Sequence, residues 1–272
     1  MNVMRIIPAI FIIFLLIATA ACNGNIPGKN KETLADTFSV KKDTIAPVNG
    51  TITDSLYKIY LTFDDGPAEG SENINRIAAT DSARINVFII GEKVFGEDSV
   101  KHFFQSYQSN PFIETGNHSF THASKHYRLY YRNPDGVVRD IELNADTLHL
   151  KNKIVRLPGR NTWRINGRKR SDLPDDKKAA DSLAAKGYSV FGWDVEWPYF
   201  PDSSHRVQSA NTMMRIVENL IDGKRTFTPG NVVILCHDPM FIDANNVLQL
   251  DLFIRKIKQK KGYKLEHLSN YP

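Results

Sequence analysis

Five times along this chain a short apolar run ends in a cluster of acids, histidines or an arginine, and stretches of helical length lie between the runs. No other feature constrains the fold as much. Apolar runs at 57–62, 85–90, 111–114, 154–155, 188–193, 231–236 and 263–268 predict strands, and 71–82, 98–107, 137–151, 175–186, 207–221 and 245–259 predict helices. Strands separated by helices pair in parallel through crossovers, so the chain reads as α/β, as a barrel or a doubly wound sheet. In both architectures ligands gather at the C-terminal ends of the strands, where the polar clusters fall.

The chain begins differently. Arg5 precedes an apolar run over 6–17, then come Ala18, Thr19, Ala20, Ala21 and Cys22. A charged start, an apolar centre and a small-residue zone form an export signal, and the run is short for a spanning helix. Thr19-Ala20-Ala21-Cys22 resembles a bacterial lipobox, with Thr19 where Leu is usual. Lipid on Cys22 would anchor the protein to a membrane of the cell envelope; cleavage after Ala20 would release it, secreted or periplasmic. Residues 23–55, rich in Asn, Lys, Thr, Gly, Pro and Asp, read as a flexible tether, leaving 56–272 as a single folded domain. Cys22 and Cys236 are the two cysteines, so a lipidated Cys22 leaves Cys236 without a disulfide partner. The net charge of +5 is modest for 272 residues, its cations are scattered, and no nucleic-acid motif is present.

Chemistry concentrates in the clusters. Asp64 and Asp65 close the first strand, before a Gly66-Pro67 turn able to re-aim them. His118 and His122 stand four apart, so on one helical turn they share a face and reach one ion. With a carboxylate from an earlier strand end they make a catalytic zinc set with open positions; cobalt or nickel suits the same donors. Arg156 follows the strand at 154–155 and is placed to pair with a buried carboxylate, and Gly159 permits close backbone approach to a ligand. Asp194, Glu196 and two tryptophans, Trp193 and Trp197, follow the next strand, and His237 follows the most apolar one. Cys236 reads as a small buried hydrophobe. The aromatic and cationic run 126–132 reads as a sugar-stacking rim or a half-buried loop.

In order, Thr62-Phe63-Asp64-Asp65-Gly66-Pro67, Gly116-Asn117-His118-Ser119-Phe120-Thr121-His122, Arg156-Leu157-Pro158-Gly159-Arg160, Trp193-Asp194-Val195-Glu196-Trp197 and Leu235-Cys236-His237 resemble the five motifs of the polysaccharide deacetylase domain, carbohydrate esterase family four. The resemblance implies an irregular (β/α) barrel of seven strands. It also implies a metal-dependent hydrolase that removes N-acetyl groups from an amino-sugar polymer such as peptidoglycan or a chitin-like chain. By similarity Asp64 is the general base, Asp65, His118 and His122 hold one divalent ion, and Arg156 orients Asp64. His237 is the general acid, paired with Asp194 or Glu196. Trp197 and Leu235 wall the acetyl pocket, and a backbone N–H near Gly159 faces the oxyanion.

Two motifs depart from the family. Asp194-Val195-Glu196-Trp197 is shorter than Asp-x-x-Asp-Trp, leaving the partner of His237 open. Gly159 and Arg160 stand where the third motif has Tyr and Gly, so a ring over the sugar site is missing. O-acetyl ester hydrolysis and a non-catalytic carbohydrate-binding role are the alternatives.

Overall fold

The computed structural model describes residues 57–96, 98–200 and 205–272. The expected signal at 1–22, with Cys22, and the tether at 23–55 lie outside them.

The strands are β1 (Tyr57–Gly66), β2 (Ile85–Ile89), β3 (Ile113–Asn117), β4 (Ile154–Val155), β5 (Thr162–Ile165), β6 (Arg168–Ser171), β7 (Ser189–Val190), β8 (Val195–Glu196), β9 (Tyr199–Phe200), β10 (Arg206–Val207), β11 (Asn231–His237) and β12 (Tyr263–Leu265). Seven of them run in the order β7-β4-β3-β2-β1-β11-β8, and every neighbouring pair is parallel. The two ends of that order, β7 and β8, are joined by residues 191–194 alone. So short a link spans at most roughly 18 Å. The sheet therefore curls until its edges approach, giving the irregular seven-stranded barrel without a hydrogen-bonded seam between β7 and β8.

Side-chain alternation divides the core. Ile59, Leu61 and Phe63 of β1, with Val232, Ile234 and Cys236 of β11, pack outward against the helices Ala210–Asp222 and Ala244–Gln259. Tyr60 and Val233 point into the barrel, where Phe88, Trp163, Phe191 and Tyr271 fill the lower interior. Residues two and four further along those inner faces rise to the mouth: Thr62 and Asp64 on β1, Leu235 and His237 on β11.

The helices fall close to their expected ranges, at Ser71–Thr80, Asp98–Ser109, Pro134–Leu148, Lys177–Ala185, Ala210–Asp222 and Ala244–Gln259. The strand expected at 188–193 contracts to Ser189–Val190 because Trp193 and Gly192 leave the ladder for side-chain partners. The Trp193 amide donates to Asn161 Oδ1, and Gly192 O accepts from Arg156. The antiparallel hairpin β5–β6 is unexpected; its turn is Asn166-Gly167, both left-handed at φ +48 and +77.

Candidate metal and catalytic site

The Asp64-Asp65 pair is presented by an irregularity in β1. Its register against β2 shifts between Phe63 and Gly66, and Asp65 adopts φ +62. An extra residue in one strand turns a side chain to the face it would otherwise avoid, so both carboxylates reach the barrel mouth. The turn is held from behind: a Cβ on Gly66 would lie 2.6 Å from Asp238 Oδ2. That buried carboxylate accepts from Ser71 and from Tyr107 Oη at 2.8 Å. Lys93 Nζ donates to Asp65 O at 2.7 Å.

His118 and His122 do not share a right-handed helical turn as their spacing suggested. His118 follows β3 directly, Ser119 is left-handed, and His122–Lys125 is a run of four non-glycine residues at φ between +45 and +63. Such conformations cost about 1–2 kcal/mol per residue. Hydrogen bonds hold the run and its approach: Ser119 Oγ accepts from His122 N, and Thr121 O from Ser124 N. Asn117 Oδ1 accepts from Ser119 N and from Asn144 Nδ2, and Thr121 donates to Asp140 through both N and Oγ1. The outcome is two imidazoles with centroids 5.0 Å apart, both facing Asp65.

Asp65 Oδ1 lies 3.1 Å from His122 Nε2 and 3.5 Å from His118 Nε2. The three residues form a set whose ligand atoms lie within 4.8 Å of one another. His118 Nδ1 sits 2.9 Å from Arg156 O; donating there leaves the Nε2 lone pair free, the tautomer a metal requires. Two imidazole nitrogens and a carboxylate suit a divalent ion of the zinc type. Burial works to raise the Asp65 carboxyl, but hydrogen bonds from His118 and His122 outweigh it and hold the group well below the usual range. Burial likewise works against charge on His118, and Asp64 with Asp65 reverses that, raising its pKa.

Arg156 is fully buried. Nη1 donates to Asp64 Oδ1 at 2.8 Å and to Thr62 Oγ1 at 2.7 Å, Nη2 to Gly192 O, and Nε to Phe191 O, while its plane lies 4.4 Å over Phe88. Burial lowers its pKa, and the Asp64 charge opposes that. Asp64 is thus an ion-paired carboxylate, with its other oxygen 3.7 Å from His118 Nε2. Beside it, across the parallel β1–β11 ladder, its register partner is His237.

His237 lines a cleft of about 600 Å³ with Asp65, Glu196, Trp197, Tyr199 and Met240. The pairing expected between Asp194 and His237 is not formed. Both Asp194 oxygens are taken by backbone amides, Phe227 N at 2.6 Å and Val233 N at 2.9 Å, with Arg170 3.7 Å away. Burial raises the Asp194 pKa against those two bonds. Asp194 bolts the β8 edge to the start of β11. Glu196 is exposed and shares the cleft, yet among the described residues no carboxylate lies within ion-pair distance of His237. Trp197 is fully buried, with Nε1 donating to Gln208 O and its ring edge-on to Phe253. It backs the cleft rather than standing into it. Leu235, one alternation below His237, is buried on the barrel-facing side. Cys236 is free and buried, its thiol pushed up by burial.

Gly159 is left-handed at φ +62, and the space a Cβ would take there is met by the Tyr127 ring at 3.2 Å. Arg160 turns away to Asp175, at 2.7 Å, and stacks 4.4 Å from Tyr131. Tyr127, which opens the short helix Tyr127–Tyr131, thus sets a ring against this turn, and it also packs edge-on to His122 with centroids 5.7 Å apart.

Residues 30–161 match the polysaccharide deacetylase family. Among solved structures, a Streptococcus mutans CE4 esterase is similar with a TM-score of 0.58 at 22% identity, covering 78% of this chain and 87% of that one. The catalytic domain of a peptidoglycan N-acetylglucosamine deacetylase from Eubacterium rectale gives 0.55 at 19%, over 85% and 93%. A family 4 carbohydrate esterase from Streptomyces lividans, in complex with acetate, gives 0.54 at 19%, over 78% and 92%. These likenesses are of fold. Comparison with curated proteins finds no match. The matched residues include the Asp64-Asp65 turn, both histidines and Arg156, and the barrel shares its fold with the family 4 carbohydrate esterases: over residues 30–161 the chain is similar to the polysaccharide deacetylase family.

Proposed function

We propose that the protein is an exported, metal-dependent hydrolase that removes N-acetyl groups from an amino-sugar polymer or oligomer. The observation that carries this reading is the placement of Asp64. It is ion-paired to buried Arg156, beside the Asp65-His118-His122 set on one side and in strand register with His237 on the other. A base, a cation site and an acid thus converge on one cleft, the minimum for amide hydrolysis.

A divalent ion held by Asp65, His118 and His122 supplies Lewis acidity to the amide carbonyl and to the attacking water. Asp64, oriented by Arg156, takes the water's proton as oxygen attacks the carbonyl carbon. The backbone N–H of the Gly159 turn faces the developing oxyanion, a contribution of about 10²–10³ in rate for such a donor. His237 donates a proton to the sugar nitrogen as the C–N bond breaks, and acetate and a free amine leave. Leu235, with Trp197 behind the cleft, bounds the space for the acetyl methyl. The chemistry of the donors favours zinc, with cobalt or nickel as substitutes.

Export rests on the first residues: a signal ending at Cys22, lipidated as an envelope anchor or cleaved to free protein. Intact mass of the mature protein decides between them. Among the described residues no helix is long and apolar enough to cross a membrane.

The test is acetate release from N-acetylglucosamine oligomers and peptidoglycan by zinc-loaded protein, with Asp64→Asn alongside. Release abolished by the substitution and by chelator establishes the reading. Bound metal without release from either substrate overturns it, and acetyl esters become the next substrates to assay.

A further inference from the structure

The cleft at His237 is not the only hollow at the metal set. A second, of about 660 Å³, starts from Asp65 and His122 and is lined by Glu92, Lys93, Thr121, Lys125 and Tyr127. Lys125 and Tyr127 also line a third depression of about 490 Å³, whose other walls are His126, Arg128, Leu129 and Arg132. The three form one path through shared residues, passing from the acid-bearing Glu196 side, across the metal set, to a strongly basic end.

The basic end is unneutralised. No acidic side chain lines the third depression, and among the described residues none of Lys125, Arg128 and Arg132 forms an ion pair. By contrast Arg160 and Arg164, elsewhere in the chain, are each paired with an aspartate. The three tyrosines of the helix Tyr127–Tyr131 divide in the same way. Tyr130 Oη donates to Asp140 and Tyr131 Oη to Pro158 O. Tyr127 Oη has no protein partner among the described residues, and its half-buried ring lies between His122 and the basic depression.

From this we infer that Tyr127, Lys125, Arg128 and Arg132 form a subsite for a negatively charged sugar unit next to the one being deacetylated. The pyranose face lies against the Tyr127 ring, and its carboxylate or phosphate meets the cations. This rests on the function proposed above and narrows its substrate to acidic amino-sugar polymers. A flat apolar ring face suits the C–H face of a pyranose. Guanidinium groups suit carboxylate and phosphate oxygens equally, so either anion fits.

The experiment is binding by calorimetry to Asp64→Asn protein loaded with zinc, so that turnover is not needed for the readout. Probes are neutral N-acetylglucosamine oligomers, equal-length oligomers bearing lactyl carboxylates, and oligomers bearing phosphate. At low salt at least one charged probe binds about tenfold tighter than the neutral one, a preference that disappears near 1 M salt and in Arg128→Gln/Arg132→Gln. Which charged probe is preferred identifies the anion. Equal affinity for all three, or a preference the double variant retains, overturns the subsite. Tyr127→Ala weakens every probe while its zinc affinity, measured separately, stays at the parent value; unchanged sugar affinity in that variant overturns the platform. Failure of the deacetylase reading shows instead as absent acetate release by the parent enzyme.

Discussion

Arg156 Nη1 lies 2.8 Å from Asp64 Oδ1, with neither side chain more than 5% exposed. The same arginine's carbonyl lies 2.9 Å from His118 Nδ1, so one residue orients both the proposed base and a proposed metal ligand. Replacing Arg156 by Met leaves the Asp64 charge buried without a counter-ion, which costs about 3–5 kcal/mol. Urea unfolding of Arg156→Met should show that loss, and acetate release should fall by about 10² or more. A variant of parental stability and rate would refute the pairing's role.

Metal binding should be visible as stability. A ligand that binds only the folded chain adds about 2.7 kcal/mol at a hundred times its Kd. Zinc should raise the melting temperature of the parent protein, and His122→Ala should lose that increment because one of three donors is gone. An equal shift in the variant would place the ion elsewhere.

Asp238 makes stability depend on pH. Burial raises its carboxyl to about 7 against the pull of Ser71 and Tyr107. A raised acid favours the folded state when protonated. Its contribution is complete below the ordinary value of 3.8 and is lost as pH climbs to about 7. Asp238→Asn keeps the shape and removes the proton. The difference in unfolding free energy between the two proteins should therefore shift in the variant's favour between pH 4 and 7 and level off above. A flat difference would mean that Asp238 is ionised throughout.

The two acids after β7 should separate cleanly. Asp194→Ala strips two backbone amides of their acceptor, at about 1–3 kcal/mol each where water cannot replace it. It should destabilise the fold while the pH profile of kcat in the folded protein stays in place. Glu196→Gln, in the cleft with His237, should leave stability alone and lower kcat. Kinetic pH profiles with parallel urea curves distinguish the two outcomes.

The parallel core was legible because β1, β2 and β11 are largely buried on both faces and read as near-continuous apolar runs. The β5–β6 hairpin was not, since Arg164, Arg168, Lys169 and Arg170 hide its alternation. Asn166-Gly167 between Ile165 and Arg168 was the signal that could have revealed it. Asp194 was misplaced for a related reason. An acid at a strand end looks catalytic whenever the backbone amides that will claim it, Phe227 and Val233, lie far along the chain.

By itself the sequence determined that acids, histidines and an arginine cluster at strand ends, because strand period, turn residues and donor types are local properties. The tertiary structure alone decided which side chains meet. It brought Arg156 to Asp64 across 92 residues, turned His122 inward through a left-handed run, and set the Tyr127 ring against the turn at Gly159. Those outcomes depend on sheet curvature and on loops held by distant hydrogen bonds, and no local pattern encodes a distance between segments that only the closed barrel brings together.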